Sequence, residues 1–467
     1  MIDPVLLYST LFFCFLASVY LYKIYLKNLV TSWPMMKEKY NWLTGHGPYA
    51  LKMLSTPTGW IEGAELMAQK YPDSCILWIH SFLPRLFVND PITVKAIVSH
   101  NPELIQNDHK FPCGLGCGQG LLGLNGKTWR THRKYLSPSM KLKLLQSYIP
   151  IMNECARTFV DVLIEKQEKL LSGDGNKFFD MCHNINNYTI DVMLRCLMSY
   201  ETDIQIKPKE LDLIAQTEIL AKTAHFRAYV PLPEIFWYLH PLRRKQLRAI
   251  KTANDILDKV IDNRIEFNKA LNLDDGNTRC NSDDVKNFID LALENENFTK
   301  EELRNELLTV LLAGQETVFS TLSWFLFNYA KSDYWAEKAR DEVEEIMQGQ
   351  TEVTFEHLKK LDVIERMLKE SQRMHPTIVQ LNPRVLLTDL EIPKSEKYNL
   401  PPRKILKNSD VCINVAGLHK NPKYYRDPHI FNPDRWIDDD IDSFAFIPFA
   451  GGARQCTAFD LGDLHAR

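Results

Sequence analysis

Near its C-terminal end the chain reads FIPFAGGARQCTA, which gathers Phe449, Gly452, Arg454 and Cys456 within eight residues. Glycines let a backbone turn tightly, an arginine pairs a carboxylate, and a cysteine beside positive charge and N–H donors becomes a metal-binding thiolate. Taken alone, Cys456 reads equally well as a core thiol, because free cysteine is among the most buried residue types. Three other groupings could do chemistry. Glu370 and Arg373 in KESQRMHP share one helical face, and Pro376 closes that helix. Trp129 and Arg133 in GKTWRTHRK stand four apart, so an indole N–H and a guanidinium reach one ligand. Ala313, Gly314, Gln315, Glu316 and Thr317 put a glycine, an acid and a hydroxyl inside a helix. The glycine alone opposes helix propensity by about 1 kcal/mol, and sites that break a local rule are often functional. In isolation each grouping has a plainer reading: surface ion pairs for the first, a basic helix with one buried tryptophan for the second.

In order and spacing, from Trp129 to Cys456, these motifs resemble the cytochrome P-450 family. Phe-x-x-Gly-x-Arg-x-Cys resembles its haem-binding loop. The resemblance implies haem b, with Phe449, Gly452 and Arg454 beside it and Cys456 as the thiolate ligand to iron; such a ligand pushes electron density to the metal and favours O–O cleavage. Glu370 and Arg373 resemble the Glu-x-x-Arg pair. Arg435, in FNPDRW, would complete a buried charged triad that holds the cysteine loop. Trp129 and Arg133 resemble the Trp-x-x-x-Arg motif that pairs with haem propionates. Ala313 to Thr317 resembles the oxygen-activation motif, in which Thr317 presents a hydroxyl to bound oxygen and Glu316 helps relay protons.

The activity implied is insertion of one oxygen atom from O2 into a lipophilic substrate, whether fatty acid, sterol or xenobiotic. Electrons would come from NADPH through a membrane-bound reductase, and Arg130 and Lys134 are candidate docking residues, a solvated face being their plainer reading. Two rival readings stay open. One is a haem-thiolate isomerase or dehydratase, against which Glu316 and Thr317 speak. The other is a truncated, haem-free membrane protein, since the chain stops at Arg467, eleven residues after Cys456, where family members continue into a helix and a hairpin. Two positions depart from the family pattern: Val318 stands where a second hydroxyl often follows, and Ala458 replaces a glycine. Some branches that hydroxylate fatty-acid chain ends carry, at the place of Ala313, a glutamate that can attach haem covalently, so such attachment is not expected here.

These groups must be carried by a large scaffold. The chain has 467 residues, 45% of them hydrophobic and 25% charged, enough for one large core or two fused lobes. A net charge of −3 with interspersed signs excludes a global field directed at nucleic acid. Ten scattered cysteines fit a reducing compartment. Strand-like runs at Cys75–Ile79 and Leu86–Asn89 precede helical periodicity at Ile151–Lys169 and Lys245–Lys269. Thr299 and Glu302 form a capping box that opens a helix running to about Lys331. The fold expected is mainly α, the cytochrome P-450 fold with a smaller β-sheet-rich lobe. Leu271–Asp284 reads as an exposed loop.

Val5–Tyr22 is an uncharged run of 18 residues, just long enough to cross a hydrocarbon core, which needs about 17 to 25. Asp3 precedes it and Lys23 and Lys27 follow, so residues 1–30 read as a single-pass transmembrane anchor in the endoplasmic reticulum with residues 31–467 facing the cytosol. A cleaved signal or a buried helix is the alternative. Tyr229–Leu242, aromatic and followed by Arg243, Arg244 and Lys245, is a candidate to dip into the bilayer, a buried loop being equally compatible. The glycine-rich Cys113–Gly120 is read as a loop roofing the pocket and not as a zinc site with His109, because a fourth ligand is missing. The sequons at Asn187 and Asn297 would lie in the cytosol, unmodified.

Overall fold

The computed structural model describes residues 4–29, 33–41, 44–54, 56, 59–80, 83–108, 110–117, 119–172, 178–207, 213–229, 234–274, 287–294, 298–437 and 441–467. Its strands are β1 (Ser74–His80), β2 (Leu83–Val88), β3 (Ile105–Asn107), β4 (Arg384–Leu386), β5 (Leu390–Ile392), β6 (Arg403–Ile405) and β7 (Asp410–Ile413). Residues alternate sides along a strand, so Ile76 and Trp78 of β1 enter one apolar cluster with Leu86 and Val88 of β2, while Cys75, Leu77 and Ile79 enter another with Phe87. A sheet covered on both faces needs a continuous apolar run, and that is what CILWI supplies. The five-stranded sheet has the order β1-β2-β7-β4-β3, and β5-β6 form a separate ribbon. β2 and β7 pair in parallel, with Arg85 opposite Asp410. The helical body is therefore the crossover between them. Arg85 fixes this register, since its Nε and Nη2 each reach an Asp410 carboxylate oxygen at 3.0 Å from a buried position.

Helices make up most of the rest. The central helix Lys300–Lys331 starts where Thr299 Oγ1 accepts the Glu302 N–H at 3.2 Å and Glu302 Oε2 accepts the Thr299 N–H at 2.8 Å. It packs against helices Met181–Met198, Pro241–Asp274, Asp362–Met374 and Phe459–Ala466. Leu303, Leu307, Leu308, Leu311 and Leu312 enter the largest apolar cluster.

Some boundaries differ from the sequence reading. The amphipathic pattern of Pro241–Asp274 carries the helix past Leu271, so the exposed loop expected from Leu271 is helical to Asp274; residues 275–286 lie outside the described residues, as do His109 and Asn297. Asn187 and Thr189 are buried in a helix, which closes that sequon to modification whatever the topology. The N-terminal helix runs Pro4–Leu29, and Phe13, Tyr20, Leu21, Tyr22 and Tyr25 are exposed on it while Leu26 joins the sheet-side cluster. A contiguous exposed apolar surface of that kind marks a membrane or partner surface.

Candidate active site

The loop Phe449–Cys456 is a backbone device. Ala450 N–H donates to Ile447 O, Gln455 N–H to Gly452 O and Cys456 N–H to Phe449 O, each at 3.0 Å. Ala450 and Gly452 both sit in the left-handed region, at φ 61° and 67°. At Gly452 a Cβ would stand 1.8 Å from Val98 O, a backbone atom that cannot yield, so only glycine fits. The Cys456 side chain is exposed and yet has protein closely around it. Burial pushes this thiol up, while the Ala458 N–H and the Arg133 charge pull it down. At Ala458 the backbone does not demand glycine, because φ is −98°, a conformation any residue adopts. Phe449 packs edge-on against Phe459, with ring centroids 5.0 Å apart.

Behind the loop, Glu370 and Arg373 of helix Asp362–Met374 are both fully buried (0% exposed), which sets aside the reading as surface ion pairs. Arg373 Nε and Nη2 reach the Glu370 carboxylate at 2.9 and 2.8 Å, and Arg435 Nε joins it at 2.9 Å. Sequence reading missed the link from this triad to the loop. Arg373 Nη1 donates to His419 O at 3.0 Å, and His419 Nε2 accepts the Ile447 N–H at 3.0 Å, two residues before Phe449. Burial holds His419 neutral, with its proton affinity lowered to about 3. The unfolded chain binds that proton near pH 6.5, so this contribution is complete above about pH 6.5 and falls by about 1.4 kcal/mol per unit as pH drops toward 3. His419→Gln is therefore expected to flatten the decline of urea-unfolding stability between about pH 6.5 and 4.5. An unchanged slope would show that other groups, such as His375 and His465, both lowered to about 4, account for it.

Three guanidiniums, Arg133, Arg384 and Arg454, lie close enough to act on one another, and the first of them also acts on the thiol. Arg454 lies over the buried Trp129 ring at 4.1 Å, and donates to Leu124 O at 3.1 Å and to Asn125 Oδ1 at 3.3 Å. Burial lowers it to about 10, with Arg384 and Arg133 adding repulsion. Arg384 on β4 is also lowered to about 10 by burial, and the Nε atoms of both Arg384 and Arg454 are buried without a hydrogen-bond partner. Arg133, on helix Gly126–Leu136 with Trp129, is lowered by burial too. Among the described residues no carboxylate pairs with any of the three. Partly buried cations without a counter-charge are costly, and a ligand carrying two carboxylates removes that cost. Haem meets the requirement with its propionates, and its iron meets the requirement of the thiol. Arg384 was not singled out from sequence; the signal for it was one charge inside the apolar stretch RVLL.

On the central helix Ala313 is exposed, Glu316 and Thr317 are half-buried, and Gly314 is closed off by Met193 Cε, 2.1 Å from where a Cβ would stand. Thr317 Oγ1 donates to Ala313 O at 2.7 Å. Beside it the Thr321 and Thr377 hydroxyls are 3.1 Å apart, and Thr377 Oγ1 lies 3.5 Å from Thr317 O. Val318, the next residue, is buried. Burial, and then the charge of Glu218, push the Glu316 carboxyl up, which favours its proton-carrying form.

Some sequence candidates stand elsewhere. Arg130 points outward and pairs with Glu103 at 3.1 Å. In helix Glu234–Leu239 the Trp237 side chain is buried against Phe226 and Arg227, whereas Phe236, Tyr238 and Leu239 are exposed. The described residues hold no group of three or more His, Cys, Asp or Glu side chains arranged for a metal ion.

A family model described as Cytochrome P450 matches residues 60–461 of the chain. Among curated relatives, Cytochrome P450 4F11 of Homo sapiens is 29% identical over 435 residues, 90% of this chain and 79% of that protein. Cytochrome P450 4F8 of Homo sapiens is 28% identical over 90% of this chain and 80% of its own length, and Cytochrome P450 4A14 of Rattus norvegicus is 27% identical over 87% and 80%.

Proposed function

The chain belongs to the cytochrome P450 family and is a haem-thiolate monooxygenase that takes electrons from NADPH through a reductase and acts on lipophilic substrates; from that premise we propose roles for its residues. Cys456 ligates the iron. Arg133, Arg384, Arg454 and the Trp129 indole receive the haem carboxylates, Phe449 and Gly452 give the loop its shape, and Glu370, Arg373 and Arg435 hold it from behind. Bound haem supplies oxygen binding and electron delivery from the reductase. The protein's part is then proton handling: Thr317 presents its hydroxyl to bound oxygen, released from Ala313 O, and Glu316 holds a proton one residue away. What carries this reading is the meeting of a crowded but accessible thiol with three uncompensated arginines. The carbon-monoxide difference spectrum of the reduced protein tests it, because the Soret position reports a thiolate ligand. Well-folded protein with a silent spectrum would falsify it.

Thr317→Val keeps the side chain's shape and removes its hydroxyl. Product formation per NADPH oxidised is expected to fall by roughly 10²-fold, the scale of a positioned proton donor, with thiolate spectrum and substrate-induced spectral shift retained. Unchanged coupling would remove Thr317 from the proton path.

The protein is a microsomal-type membrane P450 with a helix near its N-terminus. The finer reading is that residues 1–30 form one transmembrane anchor in the endoplasmic reticulum, with residues 31–467, the haem-binding domain, in the cytosol. Lys23 and Lys27 beyond the apolar run support that orientation. The exposed Phe236, Tyr238 and Leu239 would form a second contact with the bilayer. With the anchor removed, residual binding to liposomes is expected, and charging these three side chains, rather than the inward Trp237, should abolish it. No residual binding at all would leave the anchor as the sole attachment.

A further inference from the structure

One buried carboxylate outside these roles joins three elements. Glu306, on the central helix, is 0% exposed. Its Oε1 takes His132 Nδ1 at 2.7 Å and its Oε2 takes the Leu121 N–H at 3.0 Å. His132 is itself buried, with its ring edge-on to Phe298 at 4.9 Å between centroids. It lies on helix Gly126–Leu136, three residues after Trp129 and directly before Arg133. Leu121 begins the short stretch that ends at Leu124 O and Asn125 Oδ1, the two acceptors of Arg454. That stretch also rides hard on the central helix. At Gly120 a Cβ would come within 2.0 Å of Thr309 Oγ1 and 2.8 Å of Asn305 O.

The two oxygens of one carboxylate thus hold two pieces of backbone at the arginine cluster: the helix bearing Trp129 and Arg133, and the stretch that receives Arg454. Charge-assisted hydrogen bonds are shorter and about twice as strong as neutral ones, so this splint is stiff. We propose that Glu306 is a positioning residue for the haem carboxylates, fixing the separation of Arg133 from Arg454 through His132 and Leu121. It touches neither haem nor substrate. The proposal rests on the haem-thiolate reading above.

The test compares holoenzyme variants by the rate of haem transfer to excess apomyoglobin and by the carbon-monoxide difference spectrum. A glutamine at 306 aims an N–H pair at one of two donors, and His132→Phe fills the same space without a donor. Glu306→Gln and His132→Phe are each expected to speed haem loss by about tenfold, the scale of a lost buried charged hydrogen bond, and the double variant to be no faster than Glu306→Gln alone. Leu307→Ala, a core change at the neighbouring position of the same helix, is expected to lower the unfolding midpoint without that acceleration. The proposal is overturned if haem loss in Glu306→Gln stays within twofold of wild type, or if Leu307→Ala accelerates it equally. Should Glu306→Gln fail to fold, His132→Phe decides by the same two criteria. Wild-type protein without a thiolate spectrum would instead refute the underlying reading, a result separate from either.

Discussion

Cys456→Ser is expected to abolish the thiolate signature of the reduced carbon-monoxide spectrum and to reduce product formation to background, while far-ultraviolet circular dichroism stays that of the wild type. The change replaces one atom. A serine hydroxyl does not ionise in the range where a thiol does, so the strong electron-donating ligand is lost. The loop itself does not depend on the sulfur. Its turn is closed by Cys456 N–H to Phe449 O, Gln455 N–H to Gly452 O and the steric need for glycine at 452, all of which remain. The arginine cluster also remains, so some haem is expected to stay bound with an altered spectrum. The buried cysteines offer no substitute: burial pushes the thiols of Cys75, Cys117, Cys155 and Cys412 up to about 12, and Cys196 well above the ordinary value. A thiolate spectrum surviving in Cys456→Ser would reassign the ligand. Loss of folding instead of loss of signature would make Cys456 a core residue.

Much of this site could be read without coordinates because its chemistry is local in sequence. Phe449 to Cys456 form one turn, Trp129 and Arg133 one helical face, and Glu370 and Arg373 another. Spacing carries such information, since periodicity decides which side chains are neighbours. What could not be read joins distant segments. His419 reaches Ile447 from another element, Arg384 enters the cluster from β4, and Glu306 meets His132 across 174 positions. No periodicity encodes those meetings; they follow from how helices and sheet pack. The orientation of Trp237 was not legible for a similar reason. A run of aromatics in a helix of six residues does not say which face has a partner, and Phe226 and Arg227 supply one for Trp237 alone. The Ala458 departure also became interpretable only from backbone angles.

The second large effect concerns the triad. Glu370→Ala is expected to cost about 3–5 kcal/mol, a large part of the roughly 5–15 kcal/mol that holds a typical domain folded. Five donors depend on this one carboxylate. Oε1 accepts from Arg373 Nη2 at 2.8 Å, Arg435 Nε at 2.9 Å and Asn432 N at 3.0 Å. Oε2 accepts from Arg373 Nε at 2.9 Å and Trp436 Nε1 at 3.1 Å. Removing it strands Arg373, fully buried, as an uncompensated cation, although Nη1 would keep its bonds to His419 O and Pro428 O. The damage is then carried forward, because His419 accepts Ile447 N–H and Tyr425, under the Arg373 guanidinium, donates to Ala445 O. Haem content per folded protein should therefore fall with stability. Arg373→Lys loses the two-pronged contact and ranks next, and Arg435→Lys, whose side chain is nearer the surface, costs least of the three. Arg157→Ala provides the control: its pair with Glu352 has both partners more than half exposed, and pairs of that kind contribute about 0–1 kcal/mol. Thermal unfolding with haem quantification checks the ranking. If Glu370→Ala matches Arg157→Ala in both measurements, the triad is not what supports the loop, and the path through His419 would have to be held by its backbone contacts alone.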